Sequence, residues 1–505
     1  MVARTQRLCF AMLCLLWLVT SPITKAGPLG PKQVTTQAQS IEAAEKPDTT
    51  VVTTRSCHAA SQTPLPPGWL AVPFVVLLLM IATGPLLYEK FWHQHYPKVA
   101  MLLAALVLAY YLFVLHDWAE PIEALLEYVQ FIALISALYM ASGGILIAVN
   151  KQATPLINLG VLLTGAVMAN FIGTTGASML LIRPYIRLNQ GRVKAYHIVF
   201  FIFIISNVGG VLTPIGDPPL FLGFLSGVPF FWTLQHNLRP WLVALLLLGA
   251  IFYYLDTRNA SSTAQASVDP AKPTLQLVGK HNFIWFAIII GAVFIDPNIF
   301  DWVPALHYGH HVFSFVRELI LLGVASLSYY FADRHVLQEN AFSLEPLREV
   351  VLLFAGIFGT MIPALQLISA FAASETGHAM ITHNTLYWGT GIFSSVLDNA
   401  PTYLNFSAAS MATHGADITH VADVKAFTVG GVFSQSVVQL KAISIASVFF
   451  GAMTYIGNGP NFMVKAIAEH LGIRMPSFFT YMLRFSVPIL LPILFIVWLL
   501  FFAFV

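Results

Sequence analysis

The sequence predicts an all-α polytopic membrane protein that contains an internal inverted repeat. Three observations support this fold class: many apolar runs long enough to cross a bilayer, two apolar segments too short to cross twice, and two similar polar heptapeptides inside apolar runs. Of the 505 residues, 57% are apolar and only 10% are charged, with a mean hydropathy of +0.75. Soluble domains have a very different balance, so the lipid bilayer is the expected surrounding. The net charge of +2 indicates no basic surface for nucleic acid, and no nucleic-acid partner is expected.

The first 26 residues have the pattern of a secretory signal peptide. Arg4 and Arg7 precede the apolar run 8–19, and a small-residue cleavage site follows at 24–26. An uncleaved anchor is the alternative, although the apolar run is short for a membrane span. Residues 27–66 are polar and lack periodicity, which predicts a disordered periplasmic tail.

About ten apolar runs are predicted to cross the membrane fully. They divide the chain into a first transmembrane half at 67–255, a cytoplasmic linker at 256–280 and a second half at 281–505. Arg317 and Glu318 are adjacent, so they are expected to point to different helix faces and to anchor the end of their span. In chain order the runs cover 69–88, 99–115, 125–149, 197–213, 240–255, 281–296, 312–331, 349–373, 438–456 and 478–505.

The placement of basic residues predicts the orientation. If each run crosses once and the tail lies outside, thirteen lysines and arginines fall in inner loops, whereas only Arg239 and Lys425 fall in outer loops. Basic loops resist translocation. The chain is therefore predicted to be a multi-pass protein of the inner membrane with a periplasmic N-terminal tail.

Two further apolar segments do not fit the alternation of inner and outer loops. Residues 155–182 lie between basic inner loops, and this stretch is too short for two crossings of about 20 residues each. We therefore expect a re-entrant hairpin that turns at 170–176. The segment 384–408 behaves alike from the outer face, with its turn at 394–402.

Two interrupted spans reveal the repeat. Residues 213–219 read T-P-I-G-D-P-P, and residues 454–460 read T-Y-I-G-N-G-P. Each half thus contains a span, a hairpin, a broken span and a final span, in opposite orientations. Paired broken helices in inverted halves are typical of secondary transporters, because unpaired backbone at membrane depth must line a polar cavity. The sequence contains no nucleophile elbow, phosphate loop, haem motif or metal motif, so an enzyme is not expected.

These motifs carry a family resemblance. The segment S-S-V-L-D-N-A-P-T at 394–402, together with the two heptapeptides, resembles the ion transporter superfamily. Within it, the chain is most similar to the citrate-transport and NhaD-like sodium:proton antiporter group, which is related to arsenite and dicarboxylate carriers. The resemblance covers about residues 69–505. It implies that the hairpins and broken helices meet at a midplane site, often in a homodimer, with no cofactor besides the transported Na⁺ and H⁺.

The resemblance also implies which residues hold the ion or substrate. Asp398 and Asp217 are the candidate Na⁺ ligands. The first hairpin departs from the group pattern, because it reads G-T-T-G at 173–176 where antiporters often have an Asp-Asn pair. The implied site residues are Asn170, Thr174, Thr175, Asp217, Asp398, Asn399, Thr402, Asn458 and Asn461.

Asp398 is the strongest single candidate, because a carboxylate at bilayer depth is costly unless it is paired, protonated or ion-bound. Desolvation favours the protonated carboxyl group and bound sodium favours the carboxylate, so the two cations would compete for one site. The alternative for Asp398 and for Asp217 is to cap the helix that follows. The threonines could equally bind backbone carbonyls.

The sequence leaves three classes of transported substrate open. A sodium:proton antiporter fits the two carboxylates, which attract cations and repel multiply charged anions. A sodium- or proton-coupled carrier of citrate or a related carboxylate would hold a small organic anion at helix N-termini and at Asn and Thr side chains. A metalloid efflux carrier fits least, because no cysteine follows Cys57.

Overall fold

The computed structural model describes residues 65–150, 153–262, 274–295, 297, 300, 302–304, 306–308, 311–340 and 342–505. The predicted signal peptide and nearly all of the predicted tail lie outside these residues. The described chain is a multi-pass helical protein, which confirms the predicted fold class. Eight helical segments are long and apolar enough to cross a membrane, and two shorter apolar helices, Gly68–Ile81 and Asn282–Val293, join them.

The helices follow the predicted order in both halves, and four short strands, which the sequence analysis did not predict, lie between them. The first half contains α1 (Val72–Leu87), α2 (Glu89–Tyr110), α3 (Ala119–Gly143), β1 (Leu146–Asn150), α4 (Pro155–Leu188), α5 (Ala195–Ile204), α6 (Pro218–Ser226) and α7 (Trp232–Ser262). The second half begins with β2 (Thr274–Val278), α8 (Asn282–Val293), β3 (Leu306–Tyr308), β4 (His311–Phe313), α9 (Val316–Tyr330) and α10 (Arg334–Glu339). It continues with α11 (Glu345–Ala372), α12 (Glu375–Met380), α13 (His383–Val396), α14 (Asn399–Ala412), α15 (Val421–Val429), α16 (Ser436–Phe450), α17 (Gly459–His470), α18 (Phe478–Tyr481) and α19 (Leu491–Phe501).

The helix α4 is a hairpin rather than one crossing. Gly173 has φ 76° and ψ 153°, a conformation open to glycine that reverses the chain between two helical arms. A straight helix of this length would span about 51 Å. Instead the two ends meet, because the amide nitrogen of Ala153 lies 3.2 Å from the carbonyl oxygen of Leu188. The first hairpin therefore turns within the stretch predicted from the sequence.

The second hairpin consists of α13 and α14. The helix breaks at Leu397 and Asp398, where both residues have extended backbone. The rings of Phe393 and Phe406, one on each arm, lie 5.7 Å apart, which shows that the arms run side by side. This turn also falls within the predicted stretch.

Packing between the halves follows a two-fold pattern. Helix α3 packs on α9, and its counterpart α11 packs on α2, while α3 and α11 also contact each other. Each hairpin contacts the broken helix of the other half: α14 packs on α6, and α17 packs on α4. The apolar side chains from both halves form one continuous core. This exchange of contacts brings the two interrupted spans together.

The structure differs from the sequence prediction at the connection between the halves. The helix α3 ends at Gly143 rather than at 149, and β1 pairs antiparallel with β2, with Leu146 opposite Val278. Glycines at 143 and 144 favour a helix end, and the backbone groups that follow are satisfied by the strand pair. The helix α7 also continues to Ser262, into the predicted linker.

Arg317 and Glu318 lie at the end of their span, as expected, but their side chains do not diverge to different helix faces. Nε of Arg317 lies 2.7 Å from Oε1 of Glu318, and the side chains are only 3% and 2% exposed. Adjacent helical positions diverge, but these residues occupy the first turn of α9, where the long arginine side chain can reach its neighbour. Burial makes that contact favourable, because an isolated buried charge costs several kcal/mol.

Candidate functional site

The site is built where two non-helical stretches interrupt the broken helices. Between α5 and α6 the chain passes through a 3₁₀ turn at Val208–Leu212 and then through a turn closed by the hydrogen bond from the amide nitrogen of Gly216 to the carbonyl oxygen of Thr213, before it reaches Asp217. A similar stretch, a 3₁₀ turn followed by a bend, lies between α16 and α17, where Asn458 is the residue before the second half-helix. Prolines in the first turn of α6 and α17 suit a helix start, because their missing N–H is not needed there.

Two threonines at equivalent positions hold each non-helical stretch against the hairpin of its own half. The hydroxyl of Thr213 donates to the carbonyl oxygen of Asn170 at 2.5 Å, and the hydroxyl of Thr454 donates to that of Ser395 at 2.6 Å. Thr454 Oγ1 also accepts from the amide nitrogen of Gly457 at 3.0 Å. These threonines therefore have the structural role that the sequence left open.

In each broken helix, two stretches of backbone pass so close to each other that glycine is required. A methyl group added at Gly216 would lie 2.1 Å from the carbonyl oxygen of Gly210, and one at Gly457 would lie 2.6 Å from that of Gly451. The two glycines of each half thus allow a close backbone approach that any side chain would prevent.

Asp217 is the centre of the polar contacts between the two halves. Its side chain is 1% exposed. Its carboxylate accepts hydrogen bonds from Thr174 Oγ1 at 2.6 Å, from Asn399 Nδ2 at 2.5 Å and from Asn458 Nδ2 at 3.1 Å. These donors belong to the first hairpin, the second hairpin and the second broken helix. Four of the predicted site residues therefore meet at one carboxylate, and Asp217 makes no capping hydrogen bond to α6.

Sequence reasoning missed Asn207. Its Nδ2 donates to Asn461 Oδ1 at 2.7 Å, and its Oδ1 accepts from Asn458 Nδ2 at 3.2 Å. Asn461 in turn donates to the carbonyl oxygens of Gly451 and Thr454 at 2.8 and 2.9 Å. Asn207 is part of a buried polar pair, S-N, that follows α5 inside the apolar run 197–213, and a polar residue at that depth is itself a signal.

Asp398 makes the capping contact that the sequence analysis gave as its alternative role. It is partly exposed and caps α14, because its Oδ1 accepts from the amide nitrogen of Ala400 at 3.0 Å. The neighbouring Asn399, not Asp398, makes the hydrogen bond to Asp217. Capping follows from the chain direction at this turn, which points the carboxylate at the free N–H groups of the helix start.

The remaining predicted residues shape the hairpin turns. Asn170 accepts from the amide nitrogen of Leu212 at 2.9 Å and so joins the first hairpin to the first broken helix. Thr402 donates to the carbonyl oxygen of Asp398 at 2.9 Å, within its own helix. Thr175 lines the cavity beside Asp217.

A small cavity adjoins Asp217. Its volume is about 20 Å³, and its polar wall consists of Thr174, Thr175, Gly216 and Asp217. Apolar side chains of α3, among them Leu138, form the opposite wall. A water molecule needs about 10–15 Å³, whereas pockets for organic ligands measure roughly 300 Å³ or more. In this conformation the cavity therefore has room for a water molecule or a small ion.

Four helix N-termini converge on the same centre. They are the second arm of the first hairpin at Thr174, α6 after Asp217, α14 at Asn399 and α17 after Asn458. Each N-terminus carries roughly half a positive charge. Together they offset the negative charges of the two aspartates without a lysine or arginine in hydrogen-bonding contact with Asp217 among the described residues.

Broken helices and hairpins that gather around a central polar site define a multi-pass secondary transporter. A family model described as "Putative citrate transport" matches residues 63–502. The chain therefore belongs to this transporter family. No curated protein shows significant similarity to it.

Proposed function

We propose that the protein is a sodium:proton antiporter in which Asp217 holds the cation and the proton in turn. The observation that carries this proposal is the buried carboxylate of Asp217 beside a cavity of about 20 Å³. A cavity of this size admits a bare cation and does not admit a tricarboxylate in this conformation. The family description names citrate transport and not antiport, so this proposal rests on the site itself.

The donors around Asp217 explain how one carboxylate could serve both cations. Asn399 and Asn458 bind it through their amide nitrogens, which leaves their side-chain oxygens for another partner such as Na⁺. A protonated Asp217 must also donate one hydrogen bond through its O–H, and an amide NH₂ group cannot accept that bond. The hydroxyl of Thr174 can rotate and accept it, so Thr174 is proposed to stabilise the proton-loaded state.

The hydrogen bonds of Asp217 also link cation or proton binding to movement of the hairpins and broken helices. Asp217 is bonded to both hairpins and to the second broken helix, so a displacement of any of these elements must change its hydrogen bonds. Alternating access in this class proceeds by displacement of one bundle against another around the site. The proposal includes the orientation predicted from the basic loops, with the N-terminal tail periplasmic in an inner membrane.

The deciding experiment uses the purified protein in liposomes. Internal pH is followed after separate pulses of sodium, lithium and citrate, with Asp217→Asn and the control Asp333→Asn measured in parallel. Asp333 caps the exposed helix α10, and asparagine caps equally well, so this control should exchange normally. We expect a sodium-only response that disappears in Asp217→Asn. A citrate-dependent response without a sodium-only response would reject the antiporter.

A cation-coupled carrier of citrate or a related carboxylate is the second candidate. The four convergent helix N-termini favour it, and Arg183, outside the lining of the central cavity and nine positions beyond Thr174 on the second arm of the first hairpin, offers a further cation. Nη1 of Arg183 is buried and has no hydrogen-bond partner in the described part of the chain. A guanidinium group in that state suits a carboxylate ligand. In this case the central cavity must enlarge, and the citrate pulse above would give the larger response.

A further inference from the structure

A second, much larger cavity lies at the opposite end of the first hairpin from Asp217. Its volume is about 620 Å³, in the range of pockets that hold small molecules. One wall is the segment that joins α4 to α5, from Ile186 to Ala195, and the other is the segment after α17, from Leu471 to Arg474. Gly191 and Gly472 have φ 85° and 82°, which turns both segments around the cavity.

The lining of this cavity is basic. Three cations face it, and no carboxylate belongs to the lining: Arg187, Lys194 and Arg474. Arg187 shares its charge with Glu339 at 3.1 Å, in a pair whose side chains are 45% and 40% exposed and therefore weakly held. In the part of the chain that the structure describes, Lys194 and Arg474 form no ion pair.

The buried carboxylate of Asp256 already has its own partners, none of which lines the cavity. Asp256 is fully buried and binds Arg192, and it also lies 3.0 Å from His197 Nε2 and 2.7 Å from the hydroxyl of Tyr196. Arg192 thus turns away from the cavity although it lies in the same segment. Asp256 therefore does not neutralise the positive charge of the cavity.

From this arrangement we infer a binding site for a phosphate-bearing anion. Arginine guanidinium groups match phosphate oxygens in a bidentate geometry, and the N-terminus of α5 at Ala195 adds backbone N–H groups to the same wall. The volume accepts a phosphodiester headgroup or a free phosphate compound. The predicted position at the cytoplasmic ends of the spans is where anionic headgroups are available to basic residues.

The site would join two elements that also meet at Asp217. Thr174 lies on the hairpin whose end forms one wall, and Asn458 precedes the helix whose end forms the other. An anion bound between the two walls should hold those elements together, and hence stabilise the protein against unfolding. This inference does not depend on which cation or anion is transported.

The test measures thermal unfolding of the purified full chain in non-ionic detergent. Two probes are titrated separately: short-chain phosphatidylglycerol and inorganic pyrophosphate. The site variant is the triple change Arg187→Gln, Lys194→Gln and Arg474→Gln. The charge-matched control is Arg258→Gln, Lys280→Gln and Arg334→Gln, three basic residues outside the cavity lining.

We expect at least one probe to raise the midpoint of unfolding, with an apparent Kd that rises about tenfold or more in the site variant and little in the control. Such a loss corresponds to about 1.4 kcal/mol or more. A response to phosphatidylglycerol alone identifies a lipid headgroup as the source, and a response to pyrophosphate alone identifies a soluble phosphate. If neither probe acts, or both triple variants lose the response equally, the site does not exist. The single variant Lys194→Glu, expected to weaken binding alone, repeats the comparison if the triple variant folds poorly.

Discussion

Asp217 and Asn458 occupy equivalent positions in the two halves of the chain, 241 residues apart, and they are hydrogen-bonded to each other at 3.1 Å. Each residue immediately precedes the second half of a broken helix. The pseudo-symmetric pair therefore places one carboxylate against one amide at the centre of the molecule. The two positions therefore share one geometry, but only Asp217 carries a charge.

A second charge at position 458 should change the pH dependence of exchange. In Asn458→Asp, two carboxylates would lie about 3 Å apart, and such a pair retains one proton to higher pH. We expect the pH optimum of sodium-driven exchange to move in the alkaline direction, with activity at neutral pH reduced. The measurement is a pH profile in liposomes. An unchanged profile with normal folding would argue that residue 458 does not share the site of Asp217.

The two aspartates should respond differently to the same conservative change. Asp217→Asn removes the charge and turns an NH₂ group toward one of three donors, which costs about 1–3 kcal/mol and should reduce exchange to background. Asp398→Asn keeps a good helix cap and should retain much of the activity. Initial rates in liposomes compare the two variants. Loss of exchange in Asp398→Asn alone would return the leading role to Asp398.

The hydroxyl of Thr174 can be tested against its neighbour. Thr174→Val removes the donor to Asp217 but keeps the side-chain shape, and hydrogen bonds to charged groups contribute about 1.5–3 kcal/mol. We expect the half-saturating sodium concentration or the pH midpoint to shift by about tenfold or one pH unit, since 1.4 kcal/mol is a factor of ten. Thr175→Val lines the same cavity without that bond and is the matched control. An equal shift in the Thr174→Val and Thr175→Val variants would show that the hydrogen bond from Thr174 to Asp217 has no specific role in exchange.

The close backbone approach at Gly216 predicts a loss of stability when a side chain is added there. In Gly216→Ala the new methyl group would lie 2.1 Å from a backbone oxygen that cannot rotate away, so a loss of about 3 kcal/mol or more is expected. Gly459→Ala, at the start of α17, meets nothing within 4 Å and should be neutral or slightly stabilising. Thermal unfolding of the two purified variants compares them. A normal midpoint for Gly216→Ala would contradict the close approach of the two backbones.

The network around Asp256 should be far more costly to break than an exposed ion pair. Asp256→Ala leaves Arg192 and buried His197 without their shared partner, and removal of one member of a buried pair costs about 3–5 kcal/mol. Glu469→Ala breaks the exposed pair with Lys465, where about 1 kcal/mol or less is expected. The midpoints of thermal unfolding provide the comparison. Similar losses in the two variants would show that Asp256 is not a structural centre.

Much of the architecture could be predicted from the sequence, because spans, hairpins and helix breaks are local patterns. Apolar run lengths located the spans, and Gly173 lies inside the predicted turn. The repeated heptapeptide predicts that Asp217 and Asn458 belong to one site, and the two side chains are hydrogen-bonded. These inferences need only bilayer thickness and the requirement to satisfy backbone groups.

The direction of individual side chains could not be predicted in the same way. Asp398 and Asn399 are neighbours at one turn, yet only Asn399 reaches Asp217, because the helix start decides which side chain caps it. The hydrogen bond between Asn207 and Asn461 joins residues 254 positions apart, and neither residue belongs to the two repeated heptapeptides that predicted the site. The buried pair of Arg317 and Glu318 likewise depends on burial that adjacency alone does not reveal.

The base of the first hairpin is closed by two reciprocal amide hydrogen bonds between Asn158 and Asn189, at 2.7 and 2.8 Å, and Asn158 also binds Asp256 on α7. Arms that are fastened in this way cannot splay. A rotation of the hairpin about this fastened base would displace its tip, which carries Thr174, more than any other part of it. Over the fifteen positions from Asn158 to Gly173, with about 1.5 Å of rise each, a tilt of about 10° sweeps the tip through about 4 Å.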